Sequence, residues 1–217
     1  MKNLLIKEIR LASSPLSYIF LIAAIMTLLP GYPILMSAFF ICFGIFHSFQ
    51  SARESNDVLF SLLLPAKKSD FVKTKFAFTC TIELVGFALC AALTVLRMTV
   101  LSGAKPYIDN ALMNPSPVFL AFVLLVFAAF NLLFIGGFFK TAYKIGVPFL
   151  LFGIAAFIIV TVAESLHFLG SLAFLNTPSG EKTGLQMIIL FISAAVYCGI
   201  TFISYKWAKK RFELLDL

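Results

Sequence analysis

The chain is 217 residues long, 61% hydrophobic and 12% charged, with a formal net charge of +7. Soluble domains average about 45–50% and about 25% for the first two quantities. With a mean hydropathy of +1.01, these values exclude a soluble globular enzyme and point to one integral membrane domain, with no room for a separate catalytic unit.

Residues 2–13 mix Leu4, Leu5, Ile9 and Ala12 with Lys2, Lys7, Glu8 and Arg10, and are expected to lie on the membrane surface as a short amphipathic helix. No small-residue cleavage pattern follows the first apolar run, so a removable leader is not expected. A bilayer core about 30 Å thick needs about 20 helical residues, and six runs are candidates: 15–29, 34–49, 76–100, 117–139, 147–163 and 185–207. Pro30-Gly31-Tyr32-Pro33 closes the first. Pro15, Pro117 and Pro148 stand at or near helix starts, where a missing N–H costs nothing.

Lysine and arginine set the expected orientation. The flanks holding Lys2, Lys7, Arg10, Arg53, Lys67, Lys68, Lys73, Lys75, Lys140, Lys144, Lys206, Lys209, Lys210 and Arg211 carry fourteen basic residues, against Arg97, Lys105 and Lys182 on the other side. Both termini and residues 51–75 are therefore expected in the cytoplasm. Anionic headgroups account for the positive charge without nucleic acid. Cys42, Cys80, Cys90 and Cys198 fall in apolar runs without metal or disulfide spacing and read as small buried hydrophobes.

Residues 53–75 interrupt the apolar chain. Ser51 and Glu54 have capping-box spacing for a helix start, Pro65 is expected to end that helix, and Ser69 and Asp70 to cap the third span. The apolar run 58–64 is too short to cross a membrane. It either lies on the interface or fills a groove on a partner protein. The segment Leu63-Leu64-Pro65-Ala66-Lys67-Lys68-Ser69-Asp70-Phe71-Val72-Lys73-Thr74-Lys75-Phe76 resembles the signature of type-2 ATP-binding-cassette (ABC) exporter permeases. Leu64, Pro65, Lys68, Asp70, Val72 and Lys75 match it. Leu63, Lys68, Phe71 and Phe76 replace its more usual Ser, Arg, aliphatic residue and Tyr.

The resemblance implies an all-α membrane permease with a coupling helix that docks into a cleft on a separate cytoplasmic ATPase. Helix-in-groove docking uses an apolar anchor flanked by charges. The expected anchors are Val58, Leu59, Phe60 and Leu62, with Glu54, Asp57, Lys67 and Lys68 as rim charges. ATP and magnesium would reside on that partner, and no cofactor on this chain. Six spans are half the usual complement, so a second copy or a relative is the expected membrane partner, in a bacterial plasma membrane and in contact with its lipid. Hydrophobic or amphipathic cargo (a peptide, a lipid or a drug-like molecule) suits a route lined by Phe and aliphatic residues, although most Phe are expected to face lipid.

The other polar residues offer no catalytic set. Ser179-Gly180-Glu181-Lys182-Thr183 lacks the Gly before Lys and the earlier Gly of a phosphate loop. Glu83 lies two turns into the third span, where a carboxylate is costly. It either borders an inward-facing cavity or relays coupling, or it pairs structurally with a Lys, Ser or Thr of a neighbouring helix or snorkels to the interface. Structural pairing is the favoured reading, with a buried cation as the case to test. Arg97 is expected at the outer headgroup level, His47 at the inner interface, and Asn131 to pack or hydrogen-bond across helices. Residues 164–184 are expected to hold an external interfacial or re-entrant helix. The rival functions are a stand-alone secondary transporter, which needs charged or broken mid-membrane helices, and a non-transporting immunity or assembly protein.

Overall fold

The computed structural model describes residues 2–63, 67–108, 112–170, 172–176 and 182–215. Every regular element among them is helical. In chain order these are α1 (Lys2–Lys7), a π-helical turn (Glu8–Ala12), α2 (Leu16–Ile19), a 3-10 helix (Phe20–Leu28), α3 (Met36–Glu54) and α4 (Asp57–Leu63). Then come α5 (Lys68–Thr99), α6 (Lys105–Ile108), α7 (Pro117–Ala129), a π-helical turn (Phe130–Ile135), α8 (Gly136–Phe138) and α9 (Gly146–Ser165). Two 3-10 turns (Leu166–Phe168 and Ala173–Asn176) precede α10 (Thr183–Glu213).

Among the described residues, four helices are long and apolar enough to cross a membrane: Lys68–Thr99, Pro117–Phe138, Gly146–Ser165 and Thr183–Glu213. A fifth appears if Leu4–Ala12 and Leu16–Leu28, bent by 88°, count as one span. Four of the six expected spans, and a fifth if that bent pair counts, thus meet the length and composition of a membrane crossing. The first expected span is a four-residue α-helix continued by a nine-residue 3-10 helix, and α3 ends in the polar residues Gln50, Ser51, Arg53 and Glu54.

The local start signals divide. Pro117 opens α7, and the Ser116 side chain accepts a hydrogen bond from the Phe119 N–H. Ser51 begins nothing, because α3 runs through it to Glu54. Burial of Phe49 and Ala52 in the core keeps those last turns helical. Asn56, with φ of 52°, breaks the chain between α3 and α4. Asp70 does sit in the first turn of α5, but the N-cap is Lys67, two residues before Ser69, and it makes no side-chain cap bond.

Phenylalanine builds the interior. Of the 26 Phe, twelve are buried, Phe60, Phe157, Phe168, Phe191 and Phe202 are exposed, and the rest are half-buried. Phe49 meets Phe134 and Phe138 edge to face at 5.2 and 5.0 Å, while Phe130 packs edge-on to Phe152 at 5.0 Å. Such contacts join α3, α7–α8 and α9. α7 is the most enclosed of the long helices. The short first-span helices press against α3 at Gly44, where an added Cβ would come within 2.7 Å of Phe20 Cβ. Small residues permit such close backbone approach.

Candidate functional site

Four charged side chains converge at one end of the bundle. Lys75, in the second turn of α5, places Nζ 2.7 Å from Glu8 Oε1, with both side chains essentially inaccessible. The same ammonium lies 3.5 Å from Asp57 Oδ2 and over the rings of Phe49 and Phe71 at 5.4 and 5.5 Å. Lys7 donates to Asp57 Oδ1 and, at 2.5 Å, to Ser61 Oγ. Two cations and two carboxylates therefore form a neutral buried network. It ties the amino-terminal segment (Lys7, Glu8), α4 (Asp57, Ser61) and α5 (Lys75) together. Each charge is compensated only while the others are present, so removal of one costs several kcal/mol.

The network gives α4 an inner and an outer side. Asp57, expected at the rim of a docking surface, is buried in the network, and Val58, expected as an anchor, packs into this chain's own core. Their positions on the inward face of a seven-residue helix explain both corrections. Leu59, Phe60 and Leu63 face outward and are half to almost fully exposed. Glu54 is exposed and accepts from Gln50 Nε2 at 3.1 Å. Lys67 is exposed at the start of α5. Lys68 is engaged elsewhere, donating to the Leu215 carbonyl at 2.6 Å. Pro65 and the side chain of Leu62 lie outside the described residues, as do residues 179–181.

Beside α4 opens a cleft of about 260 Å3 between the α3–α4 junction and the turn 139–145. Arg53 lies over the Tyr143 ring at 5.8 Å, and both residues line the cleft. Asn56 and Ala142, the non-glycine residues with positive φ among those described (52° and 55°), line it as well. Left-handed backbone is tolerated by Asn and costs Ala about 1–2 kcal/mol, so the cleft holds stored strain.

A second polar cluster lies deeper. Glu83 Oε2 accepts from Tyr197 Oη at 2.7 Å and Asn131 Nδ2 at 2.9 Å. Asn131 Nδ2 also reaches Thr201 Oγ1 at 3.1 Å, and Ser204 Oγ donates to the Asn131 carbonyl at 2.5 Å. Asn131 belongs to the π-helical turn 130–135, where the widened turn shifts the backbone pairing. No Lys or Arg pairs with Glu83 among the described residues, so the expected buried cation is replaced by neutral donors from α7–α8 and α10. The cluster bolts α5 to the two helices beside it.

Arg97 is buried within the protein. Its Nη1 donates to the Thr27 carbonyl at 2.7 Å, and its guanidinium stacks over Tyr107 at 4.5 Å. Tyr107 Oη donates to the Leu28 carbonyl at 2.9 Å. Together they satisfy carbonyls that the first 3-10 helix leaves open at its end. His47 packs against Phe43 at 4.6 Å. In segment 164–184 the described residues form the two 3-10 turns, with Gln186 Nε2 donating to the Phe174 carbonyl at 2.7 Å.

Sequence reasoning missed the ion network because its members are distant in sequence. Glu8 and Lys75 are 67 residues apart, and Lys7 and Asp57 are 50 apart. The available signal was helical spacing, which puts Glu8 on one face with Leu5 and Ala12 and Lys75 on one face with Phe71, Val72 and Phe78.

No curated protein and no solved structure is significantly similar to the chain. A family model described as ABC-2 family transporter protein matches residues 3–213. The four long apolar helices and that match over nearly the whole chain agree: this is a multi-pass membrane protein that belongs to the ABC-2 transporter family, as a membrane subunit.

Proposed function

We propose that the chain is the permease subunit of an ABC exporter in a bacterial plasma membrane, with six spans and both termini in the cytoplasm. A separate ATPase subunit binds ATP and magnesium and docks on α4. A second copy or a related permease completes the membrane unit, and hydrophobic or amphipathic cargo leaves between the two halves.

One observation carries this reading. α4 is anchored by its inner side to a buried ion network while its outer side presents Leu59, Phe60 and Leu63 to solvent. A merely interfacial connector needs no such anchorage. A helix that transmits force does, because a push on its outer face must reach α5 and the amino-terminal segment without being lost in side-chain motion. Buried charge pairs hold one register, since displacement by a few ångströms leaves ions unpaired in a poor solvent. Export is supported by the resemblance of residues 63–76 to the exporter signature. Hydrophobic or amphipathic cargo is supported by the Phe and aliphatic residues that make up most of the membrane helices. The test is affinity purification of the tagged chain from its native membrane. An ABC ATPase that co-purifies in equal amount, and whose hydrolysis depends on the chain, is the expected result.

A further inference from the structure

A groove of about 470 Å3 runs between α5 and α10. Phe76, Ala77 and Leu84 form one wall and Tyr197 and Phe202 the other, with Lys73 at the basic end. Leu84 and Phe202 are more than half exposed, so the groove opens sideways toward lipid. Its polar groups are turned away from it: Tyr197 donates to Glu83, and Thr201 accepts from Asn131. Apart from Tyr205 and the weakly polar thiols of Cys80 and Cys198, what remains on the surface is hydrocarbon. From Lys73 to Leu84 is eleven residues, about 16 Å of helix rise, which is about half the ~30 Å hydrocarbon core. The groove is one leaflet deep.

Its mouth is cationic. Lys73 is exposed, and the exposed Lys206 holds Nζ over the Phe202 ring at 4.5 Å. Neither lysine is in an ion pair among the described residues, and no carboxylate lines the groove. A leaflet-deep apolar slot under two unpaired ammonium groups matches an amphiphile with one negative head. We propose that the groove holds an anionic phospholipid, one acyl chain lying between α5 and α10 and the phosphate resting against Lys73 and Lys206.

The experiment uses the full chain in mixed phosphatidylglycerol and phosphatidylcholine vesicles, followed by detergent extraction and native mass spectrometry of retained lipid. Phosphatidylglycerol is expected to be retained at least about tenfold over phosphatidylcholine. Lys73→Ala with Lys206→Ala should weaken retention about thirtyfold, at about 1 kcal/mol per lysine, whereas Lys73→Arg with Lys206→Arg should keep it. Ala77→Trp, which fills the slot and leaves both charges, should abolish retention. Equal retention of the two lipids, or retention unchanged by the double alanine variant, would overturn the proposal. So would efficient Cys198–Cys198 cross-linking between copies in the membrane, because a second copy would then cover the groove.

Discussion

Lys75 of α5 and Glu8 of the amino-terminal segment form an ion pair at 2.7 Å in a site that solvent does not reach. Asp57 shares the same ammonium at 3.5 Å, so the pair also fixes the short helix α4. Removing the Glu8 charge leaves Lys75 with one carboxylate, Asp57, that it must share with Lys7. Glu8→Gln is expected to destabilise the protein in detergent by about 3–5 kcal/mol, read as a large fall in the melting temperature. Glu8→Gln with Lys75→Gln should recover at least half of that loss. A double variant as unstable as the sum of the singles would mean the two residues do not interact.

Glu83 makes a different forecast because its partners are neutral. Gln at that position can still accept from Tyr197 and Asn131, so Glu83→Gln should cost less than about 1 kcal/mol. Glu83→Leu strands two buried donors, at about 1–3 kcal/mol each. Thermal unfolding of both variants separates the cases. A Gln variant as damaged as the Leu variant would require a buried cation next to Glu83.

Ala142 sits at φ of 55°, a conformation glycine adopts without strain. Ala142→Gly is expected to stabilise the turn beside the α4 cleft by about 1 kcal/mol. A loss of melting temperature would show that the backbone there carries no strain.

The expected topology is testable by thiol labelling. Ser61 is unsuitable as a probe, since it is buried and bonded to Lys7, but Leu63 and Ser102 are exposed. In a chain lacking its four native cysteines, Ser102→Cys should react with an impermeant reagent on intact cells and Leu63→Cys should not. Labelling of position 63 from outside would reverse the orientation and remove α4 from any cytoplasmic partner.

Much of this architecture was legible in the residue order, for definable reasons. Long apolar runs are self-sufficient signals, so α5, α7–α8, α9 and α10 stand where the sequence places them. A short helix ahead of Pro65 was also foreseeable, but not its start, which the capping-box spacing put at Ser51 and the structure puts after Asn56. Which side of α4 faces inward was not, because seven residues make two turns and both sides carry apolar groups. The answer depends on Lys7 and Lys75, which arrive from elsewhere in the chain. The partner of Arg97 was hidden for a similar reason, since the Thr27 carbonyl to which it donates lies 70 residues earlier in the chain.

The central claim is that the outer face of α4 is the ATPase contact and its inner face the anchor. Co-purification of the ATPase subunit with Leu59→Ala/Phe60→Ala measures this most directly, because the double variant keeps every ion pair of the network and removes only the Phe60 ring beneath the Lys7 ammonium. Loss of a buried aromatic anchor at an interface commonly costs over about 2 kcal/mol, or about thirtyfold in affinity. The account predicts a folded, membrane-inserted permease that retains its melting temperature and no longer holds the ATPase. Full co-purification and undiminished transport by the double variant would contradict it.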